Sequence, residues 1–293
     1  MTAARTLAIG AVCAALGLGV APASHAEVPT TVCGSPLSDS EISTIADLSD
    51  TTHLSGNPLQ RLETGVDDLH RITEILVAHQ DRRGLFALGL DIAEQQAVMP
   101  LQRDPAAFDS PDYAHAISLE LLRRYLDNLH AEFTGGTVEP HWAEYYALAR
   151  RCEVSGAQVA MVGYNAHITV DLAYSVAAVG TRPSNAADYF MIVDAIASSG
   201  PALVDRTKAA YGVDLGPLWR LYFFGEGLDL LAGQGVATGA LLRLADGGYN
   251  VIVFGNGMAL QDPALHDATA AEIRQLFDTA NVAFEVLAAL RGL

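Results

Sequence analysis

The chain has 293 residues, 34 acidic and 17 basic, with a net charge of −17, and 51% of it is hydrophobic. So acidic a surface repels nucleic-acid phosphates and anionic lipid headgroups, which bind to clustered lysine and arginine, so nucleic acid is not an expected partner. Lys208 is the only lysine, which confines any lysine chemistry to that position.

Residues 1–26 read as a secretory leader. Arg5 supplies a short positive region, Leu7 to Val20 is an uncharged apolar run, and Ser24 and Ala26 are the small residues of a cleavage site. The apolar run is shorter than the roughly 20 residues a bilayer span needs, and Val12 precedes Cys13 where a lipoprotein site needs a small residue. Cleavage before Glu27 would remove only Arg5 among the charged residues, taking the net charge from −17 to −18. The protein is thus expected to be secreted, extracellular or in the cell envelope, without a stable membrane anchor once the leader is gone. Of the three cysteines, Cys33 and Cys152 remain, without a C-x-x-C spacing, and in an oxidising compartment they are expected to form a disulfide. Closing a loop of about a hundred residues stabilises by about 4–5 kcal/mol in the chain-entropy description. The bond would tie an N-terminal arm, residues 27–57, to a helical domain, residues 58–293.

That domain is read as all-α, a single multi-helix orthogonal or bundle-like unit, because its apolar residues recur at helical intervals. Ser38 and Glu41 form a capping box for a short helix to about Leu48. Pro58 starts a helix whose inner face is Leu62, Val66, Leu69, Ile72 and Leu76, with His70 opposite, facing water. Asp81-Arg82-Arg83-Gly84 opens a helix from Leu85 to Met99, stopped by Pro100. Ser110 caps the next helix and Pro111 begins it, and Gly135-Gly136 breaks it after Phe133. Pro140 begins a helix to Arg151 with Trp142 and Tyr145 inward. After Ser155 comes a segment that is apolar almost all round, then helices to Ser199, from Pro201 to Tyr211 and from Pro217 to Leu231. Tyr249 to Phe254 has the β-propensity of a strand but is read as helix, and Asp267 to Leu290 is the terminal helix.

The apolar segment Val159 to Val179 carries one polar stripe. At about 3.6 residues per turn, Tyr164, His167, Asp171 and Tyr174 lie along one face. A polar row on a buried helix needs partners, since an unpaired buried hydroxyl or amide costs roughly 1–3 kcal/mol and a bare charge more. His-x-x-x-Asp points two ligand-capable groups the same way, so a divalent metal held by His167 and Asp171 with Asp91 and Glu94 from a neighbouring helix is one reading; Asp188, Glu144 and His141 are further donors. The other is a structural polar core in which Asp171 meets His167 or a buried arginine such as Arg82. No Gly-x-Ser-x-Gly elbow and no phosphate loop after a strand occur, so neither a serine hydrolase nor a nucleotide cofactor is indicated.

Asp81-Arg82-Arg83-Gly84-x-Phe86, the Trp142 helix, Asp188-Tyr189 and above all Asn165-Ala166-His167-Ile168-x-x-Asp171-Leu172 resemble an uncharacterised bacterial helical family, a domain of unknown function, over residues 60 to 200. The resemblance implies a helical fold with the Asn-Ala-His-Ile-x-x-Asp-Leu block at its centre and brings no established reaction. From the residues, the expected function is a hydrolase-like enzyme with His167 as general base or metal ligand, Asp171 orienting it, and Asn165, Tyr164 and Tyr174 bonding a small-molecule substrate. The alternative is a non-catalytic protein enclosing a small apolar or lipid-like ligand. N-terminal sequencing of the exported protein should begin at Glu27; a chain starting at Met1, or one acylated at Cys13, would contradict the export reading.

Overall fold

Local capping starts each helix where the sequence places it. The computed structural model describes residues 28–216 and 240–291; the expected leader and the expected Pro217 to Leu231 helix lie outside the described residues. Ser38 caps α1 (Asp39–Ser49) in a reciprocal box, its backbone N–H donating to Glu41 at 2.8 Å. Asn57 and Gln60 do the same for α2 (Pro58–Ala78). α3 (Gly84–Ala93) follows a tight turn and leads through a π turn, Glu94–Val98, into the short α4 (Met99–Gln102). Pro111 opens α5 (Pro111–Thr134), ended by a left-handed Gly135, and Pro140 opens α6 (Pro140–Ala149). α7 (Gly156–Asn165), a second π turn (Ala166–Asp171) and α8 (Leu172–Ala178) form one continuous rod. α9 (Ala186–Ser198), α10 (Gly200–Tyr211), α11 (Ala240–Ala259) and α12 (His266–Arg291) complete an all-α domain with no strand among the described residues.

Tyr249 to Phe254, read as helix despite its strand propensity, lies within helix α11, where packing against α8 overrides residue preference. Two other elements depart from the sequence expectation. The helix expected to stop at Pro100 runs on to Gln102, because the π turn just before the proline shifts the preceding carbonyls that its ring would otherwise strike. Ser110 makes no side-chain cap; the backbone N–H groups of Asp109 and Ser110 donate instead to the Asp188 carboxylate of α9, at 2.9 and 2.8 Å.

All ten residues of α3 are buried, which makes it the axis of the core. It packs on α2, α7 and α10, while α1 lies against α2 and α5. Two glycines let α3 and α7 approach closely. A Cβ on Gly89 would stand 1.7 Å from the Tyr164 hydroxyl, and one on Gly163 would stand 2.8 Å from Phe86 Cβ. Phe86 consequently sits against Tyr125, Trp142 and His167, with ring centroids 4.9, 5.1 and 5.0 Å away. The turn ahead of α3 is held by a fully buried ion pair: Arg83 donates to both oxygens of Asp81, at 2.9 and 2.6 Å.

Cys33 and Cys152 are bonded across 119 residues of chain, with Cα atoms 5.3 Å apart. The bond lies where the N-terminal segment also grips the turn after α2, through Ser35 N–H to the His79 carbonyl at 2.9 Å and Arg82 N–H to the Val32 carbonyl at 3.1 Å. Among the described residues no helix is long and apolar enough to cross a membrane. Replacing both cysteines by serine should leave the helix content intact and lower the unfolding free energy by about 2–4 kcal/mol, read by urea denaturation; an unchanged midpoint would show that the staple contributes nothing.

Candidate functional site

Asp171 is 1% exposed, yet its surroundings keep it ionised. One oxygen accepts from His141 Nε2 at 2.9 Å and the other from the Trp142 indole N–H at 2.9 Å, both from the first turn of α6. His167 Nδ1 lies 3.5 Å from the second oxygen, beyond a well-formed hydrogen bond, with no other partner. Burial alone would raise the carboxyl pKa; the bond from His141 and the nearness of His167 outweigh it and hold Asp171 below the ordinary carboxylate range. An anion beside Nδ1 favours the tautomer with its proton there, leaving Nε2 of His167 basic.

The π turn decides what the stripe does. Leu172 N–H bonds the carbonyl of His167, five residues back, so the wider turn stacks His167 over Asp171 and rotates everything after it. Tyr164 and His167 line an inner cavity of about 90 Å³. Asp171 and Tyr174 line a separate outer cleft of about 270 Å³. The row predicted as one face is thus divided between two openings, with Asp171 in the wall between them.

The inner cavity is walled by apolar side chains of α3, α8 and α9 and by Tyr249 and Asn250 of α11. Glu94, the first residue of the other π turn, also lines it. Its side chain is buried and Oε2 has no hydrogen-bond partner. Burial, reinforced by the charge of Asp91, pushes its pKa up to about 8, so the carboxyl is protonated at neutral pH. Asp91 turns the other way, accepting from His70 Nδ1 on α2 at 3.0 Å, while its Oδ1 is buried without a partner. His70 is exposed, as its place on the solvated face predicts, but the bond to Asp91 raises its pKa; the acceptor on α3 could not be seen in the periodicity of α2.

The four expected metal ligands therefore do not converge. Asp91 faces α2 and Glu94 faces the inner cavity, because the π turn beginning at Glu94 breaks the shared face that an i,i+3 pair has on an α-helix. Among the described residues the donor atoms that do gather, within 4.8 Å of one another, belong to Glu139, His141 and Asp171 in the outer cleft. Those three could hold a divalent cation, but Asp171 is already supplied with N–H donors, and Arg124 and Arg274 line the same cleft with positive charge. Asn165 does not reach a substrate either. It is fully buried and donates to the Phe277 carbonyl and to Asn281 Oδ1, both at 2.9 Å, pinning the π turn to α12. Tyr174 is half-buried under the Arg124 guanidinium, 5.7 Å from its ring centroid. Arg82 binds the carbonyls of Arg151 and Val154 and not Asp171, and Glu144 binds Asn281 and Arg274. Trp142 is the partner that periodicity missed: its aromatic bulk placed it inward, but only the packing of α6 on the π turn shows the indole N–H serving Asp171.

The two carboxyls make opposite pH predictions. Glu94 keeps its proton in the folded state while the unfolded chain loses it, so between about pH 4.5 and 8 it lowers stability as pH rises, by about 1.4 kcal/mol per unit while the difference is a whole proton. Glu94→Gln should therefore gain on wild type in denaturant midpoint from pH 5 to pH 8; equal shifts at both would refute a raised pKa. Asp171 has the opposite sign: its contribution is present above the ordinary carboxylate pKa and lost as pH falls through the lower folded value. Asp171→Asn should destabilise at pH 7 and differ less from wild type in acid.

No curated protein and no solved structure matches the chain. A family profile matches residues 63–233, a span that holds the Asn-Ala-His-Ile-x-x-Asp-Leu block together with Asp91, Glu94, His141 and Trp142. The helical chain that encloses this cavity belongs to the family of unknown function DUF5995.

Proposed function

We propose that this is an exported, hydrolase-like enzyme acting on a small, mainly apolar molecule held in the inner cavity. One observation carries the reading: the same apolar cavity is lined by a carboxyl held protonated, Glu94, and by a histidine backed by a buried, ionised carboxylate, His167. Environments that push titratable groups apart in this way divide the roles of acid and base. His167 Nε2 would take the proton of an attacking water, and Asp171 would hold the ring and stabilise the imidazolium that forms. Glu94 would give its proton to the departing group. Water is the nucleophile in this scheme because no serine, cysteine or lysine lines the cavity among the described residues. Tyr164 and Asn250 offer polar contacts to the substrate. The scheme needs no divalent metal.

A second reading, a non-catalytic carrier of an apolar or lipid-like ligand, draws support from the nearly continuous apolar wall. Hydrolysis of p-nitrophenyl esters and p-nitroanilides of four- to twelve-carbon acids separates the two. Turnover should show a bell-shaped pH dependence, and His167→Ala and Glu94→Gln should each lower kcat by about 10²–10⁴-fold. Rates that both variants leave unchanged would overturn the enzyme reading. Saturable binding of the neutral dye Nile red without turnover of any substrate would assign the cavity to a carrier.

A further inference from the structure

We propose that the inner cavity recognises a lipophilic amine, with Glu94 as the counter-ion of its nitrogen. This rests on the inner cavity being the ligand site; an ammonium held by ionised Glu94 leaves that residue no proton to donate, so such an amine would occupy the cavity as a competing ligand of the hydrolysis and not as its substrate.

Asp91 and Glu94 place two carboxyls within one helical turn, and both are buried. Each keeps an oxygen with no hydrogen-bond partner: Asp91 Oδ1 and Glu94 Oε2. The one basic group shown bonded to either is His70, which reaches Asp91 from the surface of α2. Glu94 faces the cavity, and no lysine or arginine lines that cavity among the described residues. The site is therefore short of positive charge at the point where a ligand would sit. Without a ligand, a proton on Glu94 meets the shortage. A bound ammonium would meet it better, supplying charge and several N–H donors to an oxygen that has none.

The other groups around Glu94 agree. Asp91 on the same helix adds negative charge, and His70 is spent on Asp91. His167 shares the cavity, with its Nδ1 turned toward Asp171. Phe86, Tyr164 and Tyr249 line it with aromatic faces, which favour a cation over an anion. A fatty-acid carboxylate would meet Glu94 with no cationic side chain between them, and an alcohol would bring one O–H donor and no charge, against the several N–H donors and the positive charge of an ammonium. The net charge of −17 also draws cations toward the protein.

Calorimetric titration of the purified protein at pH 7 with octylamine, octanol and octanoate tests this, run in two buffers of different ionisation enthalpy. Octylamine should bind the most tightly and release about one proton per molecule bound, because the ammonium displaces the proton of Glu94. Glu94→Gln should weaken octylamine by about tenfold or more, abolish the proton release and leave octanol unchanged. Octanol or octanoate binding as tightly as octylamine, or a Gln variant that keeps the amine affinity, would overturn the assignment while leaving the cavity as the ligand site. Failure of all three ligands to bind would overturn both.

Discussion

A carboxylate kept ionised in the protein core, Asp171, is the constraint around which the rest of the site is arranged. An unpaired charge cannot be held there without a large desolvation cost, so its oxygens must be met by N–H donors of fixed position. His141 and Trp142 meet them from the first turn of α6, which begins where Pro140 sets the chain into a helix. The indole of Trp142 is fully buried and packs against Phe86 and Tyr125, so the donor is fixed by the same aromatic cluster that centres the core. His167 is held against that cluster by its contact with Phe86, with its Nδ1 3.5 Å from Asp171. The polar site and the apolar core are thus one packing problem.

Both π turns bear on this arrangement. Each adds width to a helix at the residue that enters the site: Glu94 at the start of one, and the interval from His167 to Asp171 inside the other. An ordinary α-helix would keep Asp91 with Glu94 on one face and Tyr164 with Asp171 on another. The wider turns separate those pairs. The result is an inner cavity containing Glu94 and His167, a wall containing Asp171, and an outer cleft reached by His141 and Tyr174. Asn165 holds the second π turn against α12, which anchors the block that carries His167 and Asp171.

Environment gives the acidic residues of the core different states. Asp171, supplied with donors, stays charged; Glu94, supplied with none, is pushed up to about 8 and stays neutral at pH 7. Asp81 is a third case. Its carboxylate is fully buried but takes both oxygens' bonds from Arg83, whose guanidinium in turn lies 4.2 Å from the Phe133 ring centroid. Arg83 also reaches Glu132, at 3.8 Å, and the pair sets the entry to α3. Glu94 is the member of the set that faces the inner cavity, which His167 also lines.

Much of this fold was legible in the sequence because its signals are local. Proline at the first helical position, the Ser38 and Glu41 box and the 3.6-residue apolar period act over a few residues, so Pro58, Pro111 and Pro140 start helices where expected. The pairing of Cys33 with Cys152 followed from the two cysteines left after the expected leader and the compartment that leader would imply. The burial of His167 and Asp171 followed from the apolar residues around them. What periodicity could not carry was the partner of each buried polar group and the register of the helix past residue 165. Whether Asp171 meets Arg82, a metal or His141 depends on which helix packs opposite, and that is decided by side-chain volumes summed over the whole core, including the close approach at Gly89 and Gly163. The π turns are likewise invisible to a rule of fixed period. The sequence therefore determined which residues form helices and which of them are buried, and the tertiary structure decided which buried groups face one another, because a helical face is a local property and a contact between helices is not.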